Sequence, residues 1–225
     1  MSEFRRNLLK MGGVNNTERF IRRHLLCWFS PSRQGATNES LAADPRLVDL
    51  SGKGNDLMLT GPTYTAGTGL SAEGALKIFY PTDYGRTNDL KALKKFTVIT
   101  DRWRRGGTMG ACVARKGDAF GLEATDYGNR NVVFGNTVLQ SKSSFDYVRK
   151  TVVLIPTAKW DYGSEERDII NPGFKGDTVS PLQIGTKFYA NGEISADIYE
   201  FMLFDCVLTD DQITWAVENL MQRTE

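Results

Sequence analysis

Histidine and cysteine are scarce in this chain, with one His and three Cys among 225 residues. A catalytic triad or imidazole base has only His24 to build on, between two arginines and Leu25, so chemistry through it is not expected. Cys27, Cys112 and Cys206 lie 85 and 94 residues apart, and no Cys-x-x-Cys pair exists. Zinc and redox motifs therefore have no spacing to rest on, and the cysteines read as buried free thiols of a protein made in a reducing compartment. No apolar run approaches the ~18 residues that span a membrane. Leu8-Leu9 is too short for the core of a secretion signal, so neither membrane insertion nor a secretory leader is expected. With 28 basic and 27 acidic side chains the net charge is +1, which withholds the broad basic footprint of a nucleic-acid binder.

What is present is a chain of ordinary globular composition, 40% hydrophobic, with 22 glycines to serve tight turns. Its length suits one large domain, or a domain and an arm. Residues 1–23 hold six basic and two acidic side chains, a local +4 that leaves −3 for the rest. We therefore expect a basic arm over 1–23 and a domain over 24–225. Within the arm, Phe4, Arg5, Arg6, Leu8, Leu9, Phe20 and Ile21 are the candidate assembly residues, because apolar side chains on an arm need a neighbouring subunit to pack against. A frayed terminus is the plainer reading.

The body alternates short apolar runs with turn residues. Leu25–Phe29, Ala75–Tyr80, Phe96–Trp103, Ala111–Ala114, Phe120–Ala124, Val132–Phe134 and Thr151–Ile155 read as strands, and residues 32–43 as loop. Leu182–Gly185 and Lys187–Ala190 lead through Asn191-Gly192, a strong hairpin signal, into the run Ile194–Phe204. Strict alternation there sets Ile198, Glu200, Met202 and Phe204 on one face and Tyr199, Phe201 and Leu203 on the other, so both faces need cover. Thr209-Asp210-Asp211-Gln212 is a capping box opening a helix with Ile213, Ala216, Val217, Leu220 and Met221 as its apolar stripe. Many short strands, no βαβ alternation and one terminal helix predict an all-β fold, an antiparallel two-sheet β-sandwich with a short C-terminal helix and an N-terminal arm.

These segments carry a resemblance. Asp49-Leu50-Ser51-Gly52-Lys53-Gly54-Asn55-Asp56 resembles the early Ser-Gly-x-Gly-Asn-Asp stretch of laminin G-like, concanavalin A-like jelly-roll domains. Leu182–Gly185, Asn191–Ile194, Ile198–Asp205 and Leu208–Ile213 resemble that family's closing strands and helix in order and spacing. The likeness runs loosely over residues 25–221 and closely over 182–221. Its motifs are structural and specify a fold more than an activity. Jelly-roll glucanases similar to this family carry Glu-x-Asp-x-x-Glu on one strand, since a retaining glycosidase needs two carboxylates across the scissile bond. Asp197 and Glu200 keep that spacing, but Ser195 stands where the first carboxylate belongs, so no catalytic residue is assigned. Glu200 is expected to hydrogen-bond a loop backbone. Family members also hold calcium at the sandwich rim. The resemblance makes Asp49, Asn55 and Asp56 weak candidates for it, with Asp83, Asn88 and Asp89 near a second turn, and calcium is the one cofactor admitted.

Asp-Tyr-Gly occurs at residues 83–85, 126–128 and 161–163. Read as structure, it is a turn in which Asp bonds its own backbone and Gly takes positive φ. Read as function, Asp83, Tyr84, Asp126, Tyr127, Trp160, Asp161 and Tyr162, joined by Trp103 in a basic loop, form a candidate carbohydrate-binding set, because aromatic faces stack on sugar rings and carboxylates bind their hydroxyls. Replacing Trp160 by Ala is then expected to end glycan retention without harming the fold. The N-terminal stretch through Phe20 also resembles the N-termini of phage and prophage proteins of gut Bacteroides. Together these features predict a non-catalytic structural or adhesion protein of a bacteriophage particle, a head, tail or fibre-type component made in the host cytoplasm. Its expected partners are other virion proteins, or itself, through the arm, and cell-surface glycan through the sandwich. A bacterial carbohydrate-binding module is the alternative, with a glycoside hydrolase behind both.

Overall fold

The computed structural model describes residues 16–107, 111–126, 129–134, 137–140, 148–169, 174–187 and 192–221. Their strands pair, antiparallel throughout, into two sheets. The first runs β1 (Leu25–Phe29), β15 (Ile194–Phe204), β6 (Thr97–Gly107), β11 (Arg149–Ile155), β12 (Ala158–Asp161), β13 (Asp168–Ile169). Strand β4 (Leu76–Tyr80) shares an edge of β15 with β1, pairing with Ile194–Ile198 while β1 pairs with Phe201–Phe204. The second sheet runs β10 (Thr137–Gln140), β9 (Asn129–Phe134), β8 (Phe120–Asp126), β7 (Ala111–Lys116), β14 (Ser180–Lys187), β5 (Tyr84–Leu90), β3 (Leu57–Thr60), β2 (Arg46–Leu47). The expected β-sandwich is thus present.

The main core lies between the sheets, where Phe29, Leu76, Val98, Phe120, Leu154, Ile184, Phe201 and Leu203 are buried together. A second apolar layer covers the outer face of the first sheet. There Trp28, Ile99, Val153, Met202 and Phe204 meet Ile21 of helix α1 (Asn16–His24) and Ile213, Ala216, Val217 and Leu220 of helix α4 (Asp210–Leu220). This explains why β15 is apolar on both faces: one faces the sandwich interior and the other faces helices.

The alternation along β15 is not strict. Ile198 pairs with Arg102 and Glu200 with Asp101, so Tyr199 is an extra residue in a bulge. It shifts the parity, and Ile198 joins Phe201 and Leu203 in the main core while Met202 and Phe204 face the helices. A bulge depends on the partner strand, which a residue-by-residue alternation does not contain.

Three expectations for other segments change. Residues 38–43, expected within a loop, form helix α2 (Asn38–Ala43), capped by Thr37, whose hydroxyl accepts from Ser40 N at 3.1 Å. Helix α3 (Pro62–Thr65) is an unforeseen short turn. Tyr84-Gly85, expected as a turn, opens strand β5, where Gly85 faces Leu57 with no room for a Cβ; at residues 161–163 the turn does form, with Gly163 at φ +88°.

Ile21 also differs from expectation. The sequence places it on an arm that reaches for another subunit, yet it is fully buried against its own chain. A side chain of its size gains about 1.5–3 kcal/mol from such burial, so it has no reason to leave. Phe20 is partly exposed and rests on the His24 ring, centroids 4.4 Å apart. Phe4, Arg5, Arg6, Leu8 and Leu9 lie outside the described residues.

The capping box of α4 forms as the sequence predicts. Gln212 N donates to Thr209 Oγ1 at 3.3 Å, and Thr209 N donates to Gln212 Oε1 at 3.0 Å. Replacing Thr209 with Ala is expected to cost about 1 kcal/mol, read as a lowered denaturation midpoint with an unchanged m-value. No helix among the described residues is long and apolar enough to cross a membrane.

Candidate functional site

Strand β5 lies inside the second sheet between β14 and β3. Its Gly85 and Thr87 are buried, so Tyr84, Arg86 and Asn88 project outward in a row two residues apart. Gln183 of β14 pairs with Arg86 on one side and Arg115 of β7 on the other, and Met58 of β3 flanks Arg86 on the opposite edge. These side chains line a groove of about 930 Å3 on the outer face of the second sheet, together with Tyr80 and Pro81. The Tyr80–Pro81 peptide bond is cis. The Tyr80 and Tyr84 rings meet edge to face with centroids 6.2 Å apart.

The groove combines two kinds of surface. Tyr80, Tyr84 and Met58, the last 48% exposed, offer apolar faces. Arg86, Asn88, Asp89 and Gln183 supply donors and acceptors along the floor and rim. Arg115 is anchored at its base, where Nε donates to Gly117 O at 3.1 Å. Apolar patches bounded by fixed polar groups suit a ligand with a hydrophobic ring face and a hydroxylated edge.

Of the candidate carbohydrate-binding residues, only Tyr84 lines this groove. Asp83 points the other way. Its carboxylate is buried and accepts from Thr63 N and Thr82 Oγ1, both at 2.9 Å, tying the β4–β5 turn to the first turn of α3. Gly61 lies against it, at φ +142°, with no space for a Cβ beside Asp83 Oδ1. Trp103 lies on the other sheet, with the Arg105 guanidinium 3.5 Å from its ring centre. Trp160, expected on an exposed loop, is on β12 and only 7% exposed, in the layer beneath α4. Arg167 covers its remaining face at 4.3 Å. Asp161 is paired with Lys150 at 2.7 Å, and Tyr162 packs against the same layer. Asp126 ends β8, and Tyr127 lies outside the described residues. Five of the set thus have structural duties, and the Asp-Tyr-Gly repeats do not bring Tyr84 and Trp160 to one place.

Arg86 and Gln183 are absent from the sequence-based candidates, and Asn88 is among them only as a weak calcium ligand. The available signal was the period-two pattern Tyr84-x-Arg86-x-Asn88, but a polar row of this kind is also what a solvated strand face looks like.

The carboxylates of the glycosidase comparison lie on the outer face of the first sheet, across the sandwich from the groove. Asp197 accepts from Arg105 Nε at 2.8 Å and from its Nη2 at 2.5 Å. Glu200 is buried and accepts from the Trp28 indole and the Ser30 hydroxyl, each at 2.8 Å, with Arg33 at 3.6 Å. These three partners are side chains of β1 and of the residues that follow it. Ser195 offers no third carboxylate.

The calcium candidates are engaged among themselves. Asp49 Oδ1 accepts from Trp28 N at 3.0 Å and Ser51 N at 2.9 Å, and Oδ2 accepts from Asn55 N at 3.0 Å and Ser51 Oγ at 2.7 Å. Asn55 donates to Leu26 O at 2.7 Å, and Asp56 accepts from Asp49 N at 2.9 Å. With its oxygens filled by donors, Asp49 fastens the 49–56 turn to β1 instead of facing a cation. Of the second calcium set, Asn88 and Asp89 line the groove, and Asp83 holds Thr63 N and Thr82 Oγ1.

No family model matches the chain, and no curated protein sequence matches it. Solved structures do. One described as a receptor binding domain is similar over 92% of this chain and 54% of its own, with a TM-score of 0.61 at 10% identity. A botulinum neurotoxin type C structure, whose cell entry is described as dependent upon interaction with two ganglioside molecules, matches over 91% of this chain and 53% of its own (TM-score 0.54, 10% identity). A Trypanosoma rangeli sialidase in complex with sialic acid matches over 90% of this chain and 34% of its own (TM-score 0.57, 12% identity). The chain spans about half the length of the toxin structures it resembles and a third of the sialidase. At these identities the likeness is one of fold.

Proposed function

We propose that this chain is a non-catalytic, glycan-binding β-sandwich whose ligand lies in the groove on the outer face of the second sheet. The observation that carries this is the row of Tyr84, Arg86 and Asn88 beside Tyr80 and Gln183 on one rigid strand surface. The tyrosine rings stack on the apolar face of a sugar. The guanidinium and amides hydrogen-bond its hydroxyl or carboxylate edge, and strands hold them without loop ordering costs. The ganglioside dependence of one structural neighbour and the sialic acid held by another support the choice of ligand class. Binding without chemistry is supported by Ser195 at the position of the first carboxylate and by the ion pair and hydrogen bonds that occupy Asp197 and Glu200.

The finer reading is an adhesion or structural component of a bacteriophage particle, assembled in a host cytoplasm and attached through Phe4, Arg5, Arg6, Leu8 and Leu9. Three free cysteines and a basic N-terminal stretch ahead of an adhesion-type sandwich support it. Light scattering on the full chain and on a chain lacking residues 1–15 tests the attachment. A stable multimer that is lost on deletion is expected, and an unchanged monomer overturns it in favour of a free-standing carbohydrate-binding module.

For the groove, Tyr84→Ala and Arg86→Ala are each expected to weaken glycan binding about tenfold or more, the size of one stacking or charge-assisted contact of ~1–2 kcal/mol. Their melting temperatures should stay close to wild type, as for most surface substitutions. Glycan-array retention followed by calorimetric titration of the best ligand reads this out. Retention equal to wild type in both variants would place the ligand elsewhere, and no retention by the wild type would remove the reading.

A further inference from the structure

The residue types that the sequence makes scarce meet at one point. His24 ends α1, and Asp205 and Cys206 follow β15, 181 residues later in the chain. A His24 ring nitrogen, an Asp205 carboxylate oxygen and Cys206 Sγ all lie within 4.8 Å of one another, and all three side chains are half-buried. His24 Nδ1 and Asp205 Oδ1 are 2.7 Å apart. We propose that His24, Asp205 and Cys206 form a binding site for a borderline-soft divalent transition-metal ion, zinc above others, with solvent in the fourth position.

The donor set decides the metal class. Thiolate and imidazole suit Zn2+ and its transition-metal neighbours, whereas calcium and magnesium call for several oxygens and no sulfur. Donor atoms around a tetrahedral ion with bonds of roughly 2.0–2.3 Å stand roughly 3.3–3.8 Å apart. The present spacings, from 2.7 Å to within 4.8 Å, bracket that range, so small side-chain rotations suffice.

The backbone beneath the site is already fixed. Asp205 N donates to His24 O at 3.0 Å, which ties the helix end to the strand end. The Cys206 carbonyl accepts from Thr97 Oγ1, and Thr97 Oγ1 accepts from Leu208 N, both at 2.9 Å. Asp205 offers Oδ1 to the ion while Lys91 holds Oδ2, an outer-shell partner of the sort that orients ligating carboxylates. Lys91 itself is exposed. Lys53 stands nearby, its ammonium donating to Arg23 O at 2.8 Å. Burial raises the Cys206 thiol pKa to about 11, with Asp205 adding to the rise and Lys91 opposing it. Thiolate is the ligating form, so loading the site releases the Cys206 thiol proton to solvent as the metal–sulfur bond forms, without any redox change.

The test uses the full chain without a histidine tag, titrated with Co2+ and then Zn2+. One equivalent of Co2+ is expected, with a thiolate-to-cobalt charge-transfer band and strong visible bands of tetrahedral cobalt, both erased by one equivalent of Zn2+. Cys206→Ser should abolish the charge-transfer band. Cys206→Ser and His24→Gln should each weaken Zn2+ at least about 100-fold, the upper end of what an outer-shell loss costs. Zinc absorption-edge spectroscopy on the wild type needs no variant and should show one sulfur among nitrogen and oxygen neighbours. A cobalt spectrum without the sulfur band, or equal zinc affinity in wild type and both variants, overturns the site. Neither result bears on glycan retention, which resides on the opposite sheet.

Discussion

Replacing Lys116 with Met is expected to cost about 3–5 kcal/mol of stability, the usual penalty for stranding one partner of a buried ion pair. Lys116 Nζ lies 2.6 Å from Asp177 Oδ2, and neither side chain has any exposed surface. The ammonium also donates to Ser180 Oγ at 3.2 Å and Thr178 O at 3.4 Å, and the Asp177 carboxylate accepts from Leu93 N. The pair thus joins β7, the 177–180 segment leading into β14, and the stretch before β6. Removing Lys116 leaves a carboxylate in a place water does not reach. The double variant Lys116→Met with Asp177→Leu should recover much of the loss, because an apolar pair of similar volume avoids the desolvation cost. Urea unfolding of the three chains measures this. A single-variant loss below about 1 kcal/mol would mean that solvent or another cation reaches Asp177.

Trp160→Ala should likewise destabilise by about 3–5 kcal/mol. The indole fills the layer under α4 with Val153, Ala158, Met202 and Leu208, and its loss opens a cavity between the first sheet and its helix cover. In a chain of this length each kcal/mol moves the melting temperature by about 2–4 °C, so a fall of roughly 10 °C is expected. Trp160→Phe should lose clearly less. The sequence reading anticipates the opposite, lost glycan retention with an intact fold. Measuring retention per folded molecule separates the two: at a temperature where the variant is still folded it should bind as wild type does. A variant that melts like wild type but retains no glycan would return Trp160 to a binding role.

Much of the architecture is local information. Leu25–Phe29 and Ile194–Phe204 are strands over the ranges their apolar runs indicate, and the capping box at Thr209 and Gln212 starts α4 where the pattern sets it. Ser195, standing where the resemblance to jelly-roll glucanases calls for a carboxylate, is likewise a local feature. These features depend on residues within a turn or two of one another, which period, propensity and capping chemistry describe.

Placement depends on pairing between distant segments, and there the tertiary structure decides. The bulge at Tyr199 follows from the register of β15 on β6, and it reverses which face Ile198 occupies. Ile21 and Trp160 are apolar residues in polar surroundings, and whether they meet a partner subunit, a sugar or their own core depends on where α1 and β12 come to rest. Tyr84 reaches the groove because β5 lies between β14 and β3, while Asp83, one residue earlier, turns inward to hold α3. His24, Asp205 and Cys206 show the limit most clearly. In the sequence, one histidine and three scattered cysteines exclude metal motifs with short spacing. Only the closure of β15 beside α1 brings a nitrogen, an oxygen and a sulfur within reach of a single ion, because a ligand set is defined by distances in space that chain separation does not encode.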